Sequence, residues 1–311
     1  MPAERGPAGQ PDISVLICTH NHARFLPAAL ISVLAQSLPR DRYEIVVVDD
    51  GSTDDTREAL APFASDIRLI AQAHGGQAKA MNAAVAAARG PILCFLDAGD
   101  LWHPDKLRQV ADTFRARPRA GLVQHWMADT PAQDMHLPLS AAIARILVSH
   151  QADLLEGRSV FTGTSGLSFQ RDLVASLGPI PEGAFCCADE FLCAHVALLA
   201  PVITLDGFLG RRRVPRASWY AGTLAALRRL EDMAQARSVL DGALAGRMQS
   251  LGVRFSRKAQ AARRWERRRE RVRLLLAPVL PRLYIRLGRR GQSSAAPNSS
   301  AFCRAWNCFS A

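Results

Sequence analysis

Asp97 and Asp100 stand three positions apart in FLDAGD, directly after the apolar run PILCFL, and paired carboxylates beside a buried run suit a divalent cation. Asp49 and Asp50 close a second apolar run, YEIVVVDD, and a first run, ISVLIC, leads into Thr19, His20 and Asn21. An ionised carboxylate only accepts hydrogen bonds, whereas Thr, His and Asn can donate or accept. Together such groups either hold Mg²⁺ or Mn²⁺, or bind the sugar and base of a nucleotide through hydrogen bonds. Gly99, between the two acids of FLDAGD, has no side-chain ligand to offer.

The runs that carry these residues read as buried strands. Residues 13–18, 43–50, 67–71 and 91–96 are apolar and strand-like, and between them lie stretches with helical spacing: RFLPAALISVLAQSL, TDDTREALAPFA and QAKAMNAAVAAARG, the last closed by Gly90. Strand and helix alternating over about a hundred residues predict an α/β fold with a mostly parallel sheet covered on both faces. Ligands of such sheets sit at the carboxyl ends of the strands, where Thr19, His20, Asn21, Asp49, Asp50, Asp97 and Asp100 are presented. The pattern is less regular from 120 to 180; LVQHWMA reads as a strand, LSAAIARILVSHQ as a helix, and GLSFQRDLVASLGPI as a strand and short helix. Beyond 219 nearly everything reads as helix, with Val272, Leu276, Val279, Leu283 and Leu287 near one face and Pro278 and Pro281 interrupting it.

With 49% hydrophobic residues in 311, the chain is a core-forming globular protein. Its net charge of +11 is uneven: residues 1–210 hold 16 Lys+Arg against 23 Asp+Glu, and residues 211–290 hold 22 against 5. The opening MPAERGPAGQPD lacks the apolar centre of a secretory signal, and no apolar run approaches the roughly 20 residues that span a bilayer. Seven cysteines without paired C-x-x-C spacing point to reduced thiols in the cytoplasm rather than a zinc site. The expected division is a flexible lead-in (1–11), a catalytic or binding domain (12–218), a basic helical extension (219–290) and a disordered tail (291–311).

Read as blocks, SVLICTHNHARFLPAALISVLAQSLPRDRYEIVVVDDGSTDDT and GGQAKAMNAAVAAARGPILCFLDAGDLWHPDKL resemble the family 2 glycosyltransferases, strongly over 12–110 and weakly over 111–218. The resemblance implies the GT-A nucleotide-diphospho-sugar transferase fold and an inverting transfer of a sugar from a UDP-, GDP- or dTDP-linked donor to a hydroxyl of a saccharide or lipid-linked acceptor. It places Thr19, His20 and Asn21 beside the nucleotide, Asp49 and Asp50 at the base, with Asp50 accepting from a base N–H, and Gln77, Lys79 and Asn82 beside the sugar or diphosphate. In CADEFL it makes Asp189 the catalytic base, with Glu190 the alternative. A single displacement needs one such base, on the face opposite the leaving nucleotide. RRRVPRAS resembles the closing segment, with Arg213 and Ser218 in place and Pro215 where histidine is common.

The family's acidic stretch is Asp-x-Asp or Asp-x-Asp-Asp, so Asp97 takes the first position, Asp100 the fourth, and Gly99 the metal-binding third. Three outcomes stay open, in this order. Asp100 binds Mg²⁺ or Mn²⁺ together with Asp97 and the diphosphate; or metal binds weakly and Lys79 or an arginine of 211–216 helps; or the protein binds nucleotide-sugar or glycan without catalysis. Residues 257–287 combine dense arginine with an apolar stripe, which fits peripheral contact with the inner face of an anionic membrane as well as a solvated basic face. Nucleic acid is the disfavoured partner, because no recognition motif accompanies the charge.

Overall fold

The computed structural model describes residues 10–131, 134–135, 139–140, 142–184, 186–214 and 223–276. Most of the expected lead-in, the segment with Pro215 and Ser218, Pro278 and Pro281 with the leucines beyond them, Cys303, Cys308 and the expected disordered tail lie outside the described residues. Among those described, nine strands form one sheet: β1 (Ile13–Thr19), β2 (Tyr43–Asp49), β3 (Arg68–Ala71), β4 (Ile92–Phe95), β5 (Leu101–Trp102), β6 (Leu122–Pro131), β7 (Ile146–Ser149), β8 (Leu167–Gln170) and β9 (Val202–Val214). Their order is β3-β2-β1-β4-β8-β6-β9-β5, with β7 also on β9. The first four strands are mutually parallel, as the strand–helix alternation requires; β8 then enters antiparallel to both β4 and β6, so the sheet is mixed.

Helices α1 (Leu26–Leu34), α2 (Thr56–Leu60), α3 (Gly76–Ala87), α4 (Lys106–Ala116), α5 (Gln151–Leu155), α6 (Arg171–Ser176) and α7 (Ala188–Leu199) connect the strands, and α8 (Thr223–Ser250) and α9 (Arg257–Leu276) follow. Alternation along the strands divides the core. Val15, Ile17, Ile45, Val47 and Cys94 face a layer containing Leu26, Leu30 and Val33 of α1 and Leu107, Val110 and Phe114 of α4. Leu16, Val46, Val48, Leu93 and Phe95 face the other, with α3, α7 and the α8 residues Leu240, Leu244 and Met248. Each fully buried Val, Leu or Ile adds about 1.5–3 kcal/mol relative to exposure, so both faces lock the register that sets the strand ends.

Two expectations need correction. The stretch read as a helix, 139–151, instead runs into strand β7, because the apolar run Ile146-Leu147-Val148, two of its three residues β-branched, pairs antiparallel with β9 over Val202–Leu205. Gly90 is not the cap of α3, which ends at Ala87 and is capped by Ala88. It is needed for close approach, since a Cβ there would lie 2.7 Å from the backbone of Ile13 and Ser14. The strand and short helix read at 166–180 are β8 and α6. No helix among the described residues is long and apolar enough to cross a membrane.

Candidate active site

The carboxyl ends of β1, β2 and β4 open into one crevice, closed on its far side by a tight 3-10 turn, Thr164–Gly166, and by the start of α7. The turn is the hub. Ser165 Oγ donates to Asp100 Oδ2 at 2.7 Å and accepts the Asp97 backbone N–H at 3.0 Å, while Thr164 Oγ1 donates to Asp189 Oδ2 at 3.1 Å. Two adjacent hydroxyls thus tie together the acids of FLDAGD and CADEFL. The turn is itself anchored from below, because Trp102 Nε1 donates to the Ser165 carbonyl at 2.7 Å. Beneath that ring the fully buried Lys106 places Nζ 3.7 Å from its centroid and donates to Ser168 Oγ. Burial pulls the Lys106 ammonium below its ordinary range.

Electrostatics at the three acids follow from this crowding. Burial, then the charge of Asp97, raises Asp100 to about 7, against the pull of the Ser165 hydroxyl and the Arg213 backbone N–H. The same two causes raise Asp189 to about 6, with the Thr164 hydroxyl holding it down. Glu190 rises to about 7 by burial and points elsewhere, 3.5 Å from Arg237 Nη2 of α8, a long ion pair. The neighbours in CADEFL therefore separate: Asp189 faces the crevice turn, Glu190 the C-terminal helix. Asp189 is held by the helix start, where Gln77 Oε1 accepts the Ala188 N–H at 3.0 Å and Cys187 takes a left-handed φ of 61°. Left-handed backbone in a non-glycine residue is strained, and here it turns the chain into α7.

At the nucleotide end expected from the resemblance, polar atoms are largely committed within the protein. Asn21 Oδ1 accepts from the Thr53 and Asp54 N–H groups, and Asp49 Oδ1 accepts from Ser52 N–H, so both organise the loop after β2. Asn82 bonds both ways with the Ile180 backbone, at 2.8 and 2.9 Å. In this arrangement these three, with Gln77, brace the backbone around them. Asp50 is buried; it accepts from Gln72 Nε2 at 2.6 Å and from the Gly75 and Gly76 N–H groups, and pairs with His74 Nδ1 at 2.9 Å. His20 stacks on His74 with ring centroids 4.0 Å apart. Thr19 Oγ1 is buried with no hydrogen-bond partner among the described residues, and the Lys79 stem lies over Gly75.

Arg213 approaches from the end of β9: its backbone N–H donates to Asp100 Oδ1 at 3.1 Å, its Nε to the Gly99 carbonyl at 3.1 Å, and its guanidinium lies over Phe25. Around Gly99 itself a Cβ would meet nothing within 4 Å. Among the described residues no three His, Cys, Asp or Glu side chains converge closely enough to hold a metal ion by themselves. Sequence reasoning missed Thr164, Ser165, Gln72 and His74. The only signal for the first two was a cluster of small hydroxyl and glycine residues, FTGTSG.

Residues 14–163 match the family described as Glycosyl transferase family 2. An uncharacterized glycosyltransferase of Nostoc sp., alr2836, is 33% identical over 232 residues, covering 72% of this chain and 71% of that one. Poly(ribitol-phosphate) beta-N-acetylglucosaminyltransferase TarS of Staphylococcus aureus is 31% identical over 102 residues, which is 32% of this chain and only 18% of TarS. In structure, TarS 1–349 in complex with UDP is similar with a TM-score of 0.55 at 17% identity, covering 76% of this chain and 72% of that one. The mannosyltransferase PcManGT from Pyrobaculum calidifontis, in complex with GDP-Man and Mn²⁺, gives 0.54 at 20% identity over 95% and 91%. At such identities the likeness is one of fold, the GT-A glycosyltransferase fold.

Proposed function

The chain belongs to glycosyl transferase family 2, and on that premise we propose that it transfers a sugar, with inversion, from a nucleotide-diphosphate sugar to a hydroxyl acceptor in polysaccharide or glycoconjugate synthesis. One observation carries the reading: the Thr164–Ser165 turn bonds Asp189 with one hydroxyl and the Asp97–Asp100 loop with the next. A proton acceptor and a pair of possible cation ligands are thereby held on one rigid support. Asp189, with its carboxyl near 6, is ionised at neutral pH yet basic enough to take the acceptor hydroxyl's proton. As that proton leaves, the acceptor oxygen bonds to the anomeric carbon and the bond from that carbon to the diphosphate breaks.

Charge on the departing diphosphate needs cations. Lys79, half-buried beside the glycine turn, is one candidate, and the Arg213 region is another. The residues present also fit Mg²⁺ or Mn²⁺ in the mode such ions favour, with one or two carboxylates from the protein and the remaining oxygens from substrate phosphates and water. Asp97 and Asp100 would hold it, and when bound it would act as a Lewis acid on the leaving group. The nucleotide would lie toward Thr19, His20 and Asp50; TarS and PcManGT, of similar fold, form complexes with UDP and with GDP-Man and Mn²⁺. A base N–H reaching Asp50 must displace Gln72 or His74, so donor binding should reorder residues 72–76.

The test is a thermal-shift screen of nucleoside diphosphates and their sugars with and without Mn²⁺, followed by turnover of the donors that bind. Asp189→Asn should keep donor binding and lose turnover. Donor binding with no turnover of any donor by the unaltered protein would instead identify a nucleotide-sugar-binding protein.

A further inference from the structure

Helix α9 carries a charge that the transfer reaction does not use. Its rotation is fixed against the rest of the protein: Arg263 and Arg267 both pair with Asp241 of α8, Arg263 lies over Phe255, and Ala259 is buried against Gly157. The opposite side is open to solvent, with Arg257, Lys258, Ala261, Ala262, Arg264 and Trp265 all exposed and Trp265 59% so. Residues 257–276 contain nine Lys+Arg against two Glu. At 100° per residue Lys258, Ala261, Ala262 and Trp265 fall in one row, away from Ala259 and Arg263. Among the described side chains this exposed face is thus single-signed, with Trp265, Ala261 and Ala262 beside Lys258 in one row and Arg257 and Arg264 along one edge.

We propose that this face of α9 docks on a bilayer surface containing anionic lipids. Charge complementarity selects an anionic partner, and the exposed indole flanked by arginine and lysine selects a lipid interface over a nucleic-acid backbone. An indole settles at headgroup level and a phosphate backbone has no use for the apolar row. Because α9 packs on α8, and α8 receives Glu190 of α7, docking would hold the acidic crevice at a fixed height above the membrane. The proposal stands apart from the identity of donor and acceptor.

Sedimentation of the full chain with vesicles of phosphatidylcholine alone, or with about 30 mol% phosphatidylglycerol, at about 0.1 M salt tests it. Partition onto the anionic vesicles, near absence from the neutral ones and a blue shift of tryptophan emission lost in Trp265→Phe are expected. The double variant Lys258→Glu/Arg264→Glu, which spares the Asp241 pairs, should weaken partition at least about 25-fold, two cations at roughly fivefold each. Arg115→Glu on α4 should leave it unchanged. Turnover of donor with a soluble acceptor should survive the double variant, so a failure of docking and a failure of transfer read out separately. Equal binding to both vesicle types, an equal loss in Arg115→Glu, or tighter binding to duplex DNA that Trp265→Ala leaves intact would overturn the proposal.

Discussion

Replacing Thr164 by valine removes one hydroxyl and little volume, and the effect should fall on Asp189. That hydroxyl donates to Asp189 Oδ2 at 3.1 Å in a buried setting, and it is among the causes holding the Asp189 carboxyl down at about 6. A hydrogen bond to a charged group contributes about 1.5–3 kcal/mol, and the length of this one favours the lower figure, about one pKa unit. Thr164→Val should therefore raise Asp189 to about 7. A general base works only when ionised, so the acid limb of kcat/KM against pH should move up by the same unit. At pH 6.5 the ionised fraction falls from about three-quarters to about one-quarter, a loss of roughly threefold, while at pH 8.5 the variant should match the parent. Initial rates of donor hydrolysis or transfer across pH 5.5–9, at fixed Mn²⁺, measure it. A limb that stays where it was, or a fall of equal size at every pH, would show that the Thr164 hydroxyl does not set the ionisation of Asp189.

Ser165→Ala deletes the group that both orients Asp100 and accepts the Asp97 N–H, and should weaken Mn²⁺ binding about tenfold by calorimetry with nucleotide affinity in the absence of metal unchanged. Gly99→Asp enters open space, so it should fold normally and tighten Mn²⁺ by about tenfold; no gain would mean that the space faces away from the site. Gly90→Ala forces a Cβ within 2.7 Å of the Ile13 and Ser14 backbone and should lower stability by about 3 kcal/mol in urea unfolding, whereas a loss below about 1 would mean that β1 shifts to make room.

The strands were legible because they are continuous apolar runs, and the acids at their ends were legible because a parallel sheet fixes where a strand's last residue points. Asp97, Asp100 and Asp189 were each visible singly; what joins them was not. Thr164 and Ser165 meet partners 25 and 65 positions away, and small hydroxyl residues leave no periodic trace. The residue types around Asn21, Asp49 and Asn82 suit ligand contacts and backbone bracing equally, and only coordinates show that these polar atoms are already engaged with the Thr53, Ser52 and Ile180 backbone. Period misled at 139–151, where apolar spacing fits a helix but pairing with β9 prevails.

The order of strands has a consequence for how the chain is made. β4 lies in the middle of the sheet, yet its outer neighbour, β8, follows long after it in the chain, and β6 and β9 complete the sheet beyond that. A nascent chain that has emerged only to residue 163, where the family match ends, has made β1 to β7 but lacks β8, so β4 keeps an apolar edge unpaired and the turn that anchors the acids is missing. Such an edge invites pairing with other chains, and its closure depends on contacts between distant residues, which form slowly. The crevice and the second half of the sheet should therefore mature in one late step, after β8, α7 and β9 have all been synthesised.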